Sequence, residues 1–333
     1  MKKVVVIGGG TGTYTVLRGI KKIDGIDITA IVTSADSGGS SGVLRDEFGQ
    51  LPVGDFRQCL VALARDQSDD DNLLRELFQY RFEKGGKGLE GHNFGNLFLT
   101  ALTEILGSEE KALRQASKIL NIQGRVFPIT VDKVELIAEY EDGTIGYGEA
   151  RIDEPPKEHD GSLKITKLWT QPKGVLMGKS KQALEDADYI ILGPGDLYSS
   201  ILANVVVDDV KTVIKNSKAK VICIPNLVTK YGQTHGFGTK EFVEEIEKYI
   251  GRKSDFVLLN TTKIPRAVLA RYRIEKAYAV RDNLGDDERV VRSDLMSSLI
   301  VKRKKKDLFK RSLIRHDSDK IRKQIELIIN NAK

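Results

Sequence analysis

The sequence predicts an α/β fold, a Rossmann-like, doubly wound and mostly parallel sheet with an inserted antiparallel β subdomain. Three observations predict it. Short β-branched runs recur along the 333 residues, several closed by a glycine- or asparagine-bearing turn and the first of them followed by apolar residues at helical spacing. From about residue 125 to 170 the period changes to alternation. Polar residues also collect after one strand-like run after another, at the edge where open α/β sheets take ligands. The expected core is therefore 1–124 with 171–333, one domain into which 125–170 is inserted.

Taken in order, Lys2–Ile7 reads as a buried strand. Gly8-Gly9-Gly10-Thr11-Gly12-Thr13 turns it into a helix over Tyr14–Lys22, with Val16, Leu17 and Ile20 on one face. A phosphate is expected at that helix N-terminus. Thr13 stands where the dinucleotide fingerprint wants a third glycine, and no lysine completes a Walker loop. NAD stays open as a ligand, because Asp36 lies where a ribose-binding acid would.

A second strand ending at Val32 opens into Asp36-Ser37-Gly38-Gly39-Ser40-Ser41-Gly42, small residues that let backbone approach a ligand and form an anion nest. Ser37, Ser40 and Ser41 add hydroxyls, and Arg45 adds a bidentate cation. Asp55 and Arg57 flank Phe56 at the start of a helix expected over Arg57–Asp66. The structural alternative is a plain loop in which Asp55 caps that helix. Ser68 to Asp71 is expected to cap a helix over Leu73–Phe82. His92, Asn93 and Asn96, between glycines before the apolar helix Leu97–Leu106, favour polar ligand contact.

In the insert, Asp142-Gly143 signals a hairpin, and Trp169 reads as packing. Lys179–Asp186 is helical. Tyr189–Leu192 is a strand closed by Gly193-Pro194-Gly195-Asp196, Val221–Ile224 runs into Asn226 and Thr229, and Phe256–Leu259 ends at Asn260. The last helix spans Ser318–Ile329, with Ile321, Ile325 and Ile328 on one face.

Composition excludes several classes. An apolar content of 40% and a charged content of 30% are those of a soluble globular chain. No run reaches the roughly 20 apolar residues of a membrane helix, so the expected place is the cytoplasm. Cys59 and Cys223 lie in apolar runs and read as buried thiols. The net charge of +6 resides wholly in Lys302–Arg311, leaving no broad basic field for nucleic acid. That run reads as a solvated surface.

The motifs Gly9–Gly12, Asp36–Gly42 with Leu44-Arg45, Pro52–Leu60, Gly91–Leu97 and Gly193–Gly195 stand together with Asn226, Thr229 and Arg315-His316-Asp317. In this combination the chain resembles, over nearly its whole length, the bacterial YvcK-like gluconeogenesis factor family. That family is a branch of the superfamily containing CofD, the 2-phospho-L-lactate transferase. The resemblance implies a cytoplasmic factor for gluconeogenic growth and for cell shape through peptidoglycan synthesis, binding UDP-activated sugars such as UDP-N-acetylglucosamine. It implies that Gly9, Gly10, Thr11, Gly12 and Asp36–Ser41 face a nucleotide or diphosphate. Asp55, Arg57, Asn226 and Thr229 would line the cleft, with Asp36 or Asp55 taking Mg²⁺ if one is used and Asp55 the candidate base. Cell-wall-synthesis or regulatory proteins and a second copy of the chain are the expected partners. The alternative it carries is a Mg²⁺-dependent phospholactyl or nucleotidyl-type transferase. The chain departs from the family at Asp196, Ala203 and Tyr231–Thr234; an acid at Asp196 would repel a phosphate unless a cation intervenes.

Overall fold

The computed structural model describes residues 1–65, 69–301 and 312–331. A seven-stranded sheet runs β10-β9-β8-β7-β1-β2-β3, and every pairing in it is parallel. Its strands are β1 (Lys2–Ile7), β2 (Ile26–Val32), β3 (Arg125–Pro128), β7 (Tyr189–Leu192), β8 (Lys220–Cys223), β9 (Phe256–Asn260) and β10 (Val290–Ser293). The remaining three, β4 (Glu135–Tyr140), β5 (Ile145–Tyr147) and β6 (Ile165–Gln171), form a small antiparallel sheet.

β1 explains why the opening run is so uniformly apolar. It lies between β2 and β7 and is covered on both faces, so Val4–Ile7 are all buried without alternation. Apolar residues on the two faces of the sheet form two separate cores. Val5, Ile7 and Ile190 belong to one; Val4, Val6 and Ile191 belong to the other. Strand order reverses between β7 and β1, which makes the carboxyl edge there the switch point of the sheet.

Three helices start at that edge: α1 (Gly10–Ile20), α2 (Gly39–Phe48) and α3 (Gly54–Leu63). α2 lies inside what reads from sequence as a glycine-serine nest. Leu44 anchors it in the core, and the carbonyl of Ser37 passes so close to Gly42 that a Cβ there would lie 2.2 Å from it. Tertiary packing thus overrides a poor helix former. α3 begins before Arg57, and Val53, not Asp55, holds the N-cap position. The acids of 69–71 lie inside the helix Asp69–Gln79 and not ahead of it.

Arg125–Pro128 is corrected from the insert to the main sheet. It pairs parallel with β2, with Val126 buried, because the helix Glu109–Ile119 makes the crossover that brings it alongside. The hairpin at Asp142-Gly143 joins β4 to β5, and Asp142 accepts from the Thr144 N–H at 2.9 Å. Cys59 and Cys223 are buried free thiols, pushed up in pKa by burial. The final helix, Ser318–Asn331, lays Ile321, Ile325, Ile328 and Ile329 against the core beside α1. The basic run 302–311 lies outside the described residues. Among those described, no helix is long and apolar enough to cross a membrane.

Candidate functional site

The loops after β1, β2 and β7 converge on one cleft, with carboxylates at its centre. Asp55, in the first turn of α3, reaches across to α1 and accepts the Gly10 N–H at 2.9 Å. Gly9 makes room for it: a Cβ there would stand 1.9 Å from Asp55 Oδ2. Asp36, at the end of the β2 loop, accepts the Gly38 N–H at 2.9 Å. Gly54 separates the two elements, since a Cβ on it would sit 2.2 Å from Ser41 Oγ and 3.3 Å from Asp36 Oδ2.

The insert closes this cleft from one side and adds two acids that the motifs do not signal. Its short helix Glu149–Asp153 carries Glu149 to within 3.4 Å of the Ser37 N–H, while Ser37 Oγ accepts the Ala150 N–H at 2.9 Å. Asp153 accepts from Ser199 Oγ at 2.7 Å, Gln233 Nε2 at 3.0 Å and Lys230 Nζ at 2.6 Å. Lys230 also holds Asp196 at 2.9 Å. This is the cation that makes an acid tolerable in the loop after β7. Lys230 and Gln233 sit in a strand-end loop whose polar residues all look alike in sequence; only their long reach to β7 and the insert distinguishes them.

Electrostatics divide these acids into two sets. Burial, then the neighbouring Asp36, pushes Asp55 up to about 7, against the pull of the Gly10 N–H and Arg57. Burial likewise raises Asp36, and burial with the charges of Asp36 and Asp153 raises Glu149 well above the usual carboxylate range. Burial also raises Asp196 to about 6, even beside Lys230. For Asp153 burial acts upward too, but Lys230 outweighs it and the pKa falls. Asp36 and Asp55 are only half-buried, so the open cleft reaches them.

A second polar cluster adjoins α2. Ser40 Oγ lies 3.1 Å from His92 Nδ1 and accepts Asn96 Nδ2 at 3.3 Å. Asn96 Oδ1 accepts Arg57 Nε at 2.8 Å, and Asn93 caps the helix Phe94–Leu106 by accepting the Asn96 N–H. Burial and the nearby Arg81 lower Arg57 to about 10.

The residues singled out from sequence thus fall into three groups. Gly9, Gly10, Thr11 and Gly12 open α1; Asp36, Ser37, Gly38, Gly39 and Ser41 flank the acids; Gly195 donates to Asn226 Oδ1 at 3.0 Å on the β7 side. Ser40, Arg57, His92, Asn93 and Asn96 form the second cluster. Three others have further partners of their own. Arg45 pairs with Asp46 at 3.0 Å and, across to β4, with Glu135 at 3.3 Å. Thr229 bonds Tyr278 through both backbone and Oγ1, and Asn260 holds Thr262 and Leu295.

Among the described residues no three His, Cys, Asp or Glu side chains are grouped to hold a metal unaided. Two carboxylates beside free first-turn N–H groups instead match the way Mg²⁺ is taken up, by one or two acids together with ligand phosphate oxygens.

Residues 4–299 match the family described as 2-phospho-L-lactate transferase CofD. The chain is 42% identical to a putative gluconeogenesis factor of Thermotoga maritima over 98% of its own length and 99% of the relative's. A longer putative gluconeogenesis factor from Nostoc is 44% identical over 84% of this chain and 59% of its own. A crystal structure of a UPF0052 family member from Bacillus halodurans superposes with a TM-score of 0.84 at 35% identity, covering 98% of this chain and 99% of that one.

Proposed function

The chain belongs to the CofD family, beside proteins named gluconeogenesis factors, and from that premise we propose that it is a receptor for a nucleotide diphosphate-sugar of the UDP-N-acetylglucosamine type. The observation that carries this reading is the pair Asp36 and Asp55, held without a lysine between them beside the open first turns of α1 and α2. Burial raises both, and the charge of Asp36 repels that of Asp55 and raises it further. A divalent cation relieves that repulsion and brings a diphosphate with it. Asp36 and Asp55 would hold the Mg²⁺, whose charge neutralises the phosphates. The N–H groups of Thr11 and Gly12, and of Gly39 to Ser41, are donors for the phosphate oxygens, being first-turn groups without intrahelical partners. Occupancy would report the cell's supply of activated sugar to partners in gluconeogenic growth and cell-shape control.

A second reading, a phospholactyl or nucleotidyl-type transferase, has one observation of its own. Asp55, poised near neutrality, is matched to removing a proton from an attacking hydroxyl. Calorimetric titration with UDP-N-acetylglucosamine and with NAD, each with and without Mg²⁺, separates the readings. Mg²⁺-dependent uridine-sugar binding that Asp36→Asn abolishes supports the receptor. Failure to bind it, together with turnover of a nucleotide-activated phospholactate, supports the transferase.

A further inference from the structure

The cluster beside α2 has a direction built into its hydrogen bonds. Arg57 can only donate, so its Nε–H at 2.8 Å fixes the carbonyl oxygen of Asn96 towards it. The other end of that amide is then an NH₂ group, which donates to Ser40 Oγ at 3.3 Å. Ser40 Oγ thus receives one bond and keeps its own proton. Among the described residues His92 Nδ1, 3.1 Å away, is the side-chain neighbour able to accept that proton. A ring that accepts at Nδ1 carries its proton at Nε2. Ser40 and Asn96 are buried and His92 is half-buried, so the inner bonds are shielded while the ring keeps an open side.

We propose that Arg57, Asn96 and Ser40 are positioning residues, a one-way relay that holds His92 as the neutral Nε2–H tautomer and makes it a donor to a phosphate oxygen at the amino end of α2. The donor role rests on the reading of the cleft as a diphosphate site; the relay does not. Ser40 lies in the first turn of α2, so the ring it orients borders that end of the helix. A neutral donor leaves the charge balance to Asp36, Asp55 and the cation they await, and α2's own N–H groups complete the seat.

The relay is read by long-range proton–nitrogen NMR of the full chain with ¹⁵N-histidine, at a pH where the rings are neutral, with His92→Gln assigning the signal. Nε2 is expected protonated and Nδ1 bare. Asn96→Asp turns the relay round: the new carboxylate accepts from both Arg57 and Ser40, so His92 must donate from Nδ1. Ser40→Ala, with less demand on folding, gives a mixture of tautomers. A wild-type Nδ1–H ring, or tautomers unmoved in both variants, would overturn the relay. The donor role is read by adding pyrophosphate, then UDP-N-acetylglucosamine, each with Mg²⁺. The His92 Nε2 signal should move at saturation, and His92→Gln should weaken binding about tenfold. Calorimetric binding that leaves Nε2 unmoved sinks the donor role and spares the receptor. No binding of either probe sinks both, while the tautomers still decide the relay.

Discussion

Two groups of acids in this molecule are treated in opposite ways. At the outer edge of the sheet, next to β10, Asp287 is clasped by Arg289 through both oxygens and its pKa falls to about 2. Arg289 also holds Glu247 at 2.6 Å. In the cleft burial raises both Asp36 and Asp55, against the pull of Arg45 on the first and of Arg57 on the second. Asp153 and Asp196, on the far wall, share Lys230. The outer edge uses charge to hold structure. In the cleft burial outweighs the pull of the nearby arginines on Asp36 and Asp55, at a cost in stability, which is what the proposed cation site would call for.

The largest effect should come from breaking the Lys230 bridge. Lys230→Met strands Asp153 and Asp196 together, and since the site is partly solvated we expect a loss of about 2–3 kcal/mol in urea denaturation at pH 8. Asp55→Asn should act with the opposite sign, stabilising the unliganded protein by about 2 kcal/mol at pH 8. The native carboxyl keeps a proton that the unfolded chain gives up, so stability falls as pH rises from about 4 to about 7. The gain from the variant should therefore vanish near pH 4; an undiminished gain there would break the comparison. Gly54→Ala should change thermal stability by about 1 kcal/mol or less, because helix propensity favours it while Ser41 must shift. Its larger consequence is for Mg²⁺-dependent binding, which it should abolish by displacing Asp36. The smallest effect is expected of Asp287→Asn, below about 1 kcal/mol. Its depressed pKa contributes stability above pH ~4 that is lost as pH falls towards 2, so the difference should disappear in acid.

How far the sequence reaches depends on the range of the interactions involved. β1 and β7 are legible because burial on both faces leaves no polar position in their apolar runs. Asp36 and Asp55 are legible because each lies within a few residues of glycines that make no sense as core. Glu149 and Asp153 are not: they come from a five-residue helix whose acids resemble any solvated surface until the insert folds back onto Ser37. Lys230 is hidden for the same reason. Arg45 stands between the two cases: its place near the serine run brings its charge to bear on Asp36, while its pairing with Glu135, an acid 90 residues on, has no signal in the sequence. α2 is missed because glycine and serine have low helix propensity, and only the packing of Leu44 and Gly42 overrides it.

Proton release on ligand binding tests the central claim most directly. Calorimetry of UDP-N-acetylglucosamine with Mg²⁺ at pH 6.5 to 7, repeated in buffers of different ionisation enthalpy, counts the protons that leave. If Asp36 and Asp55 wait for a cation, binding must drive a proton from the pair, and Asp55→Asn must reduce that release. Binding with no proton exchanged, or with the same exchange in the variant, would contradict the account.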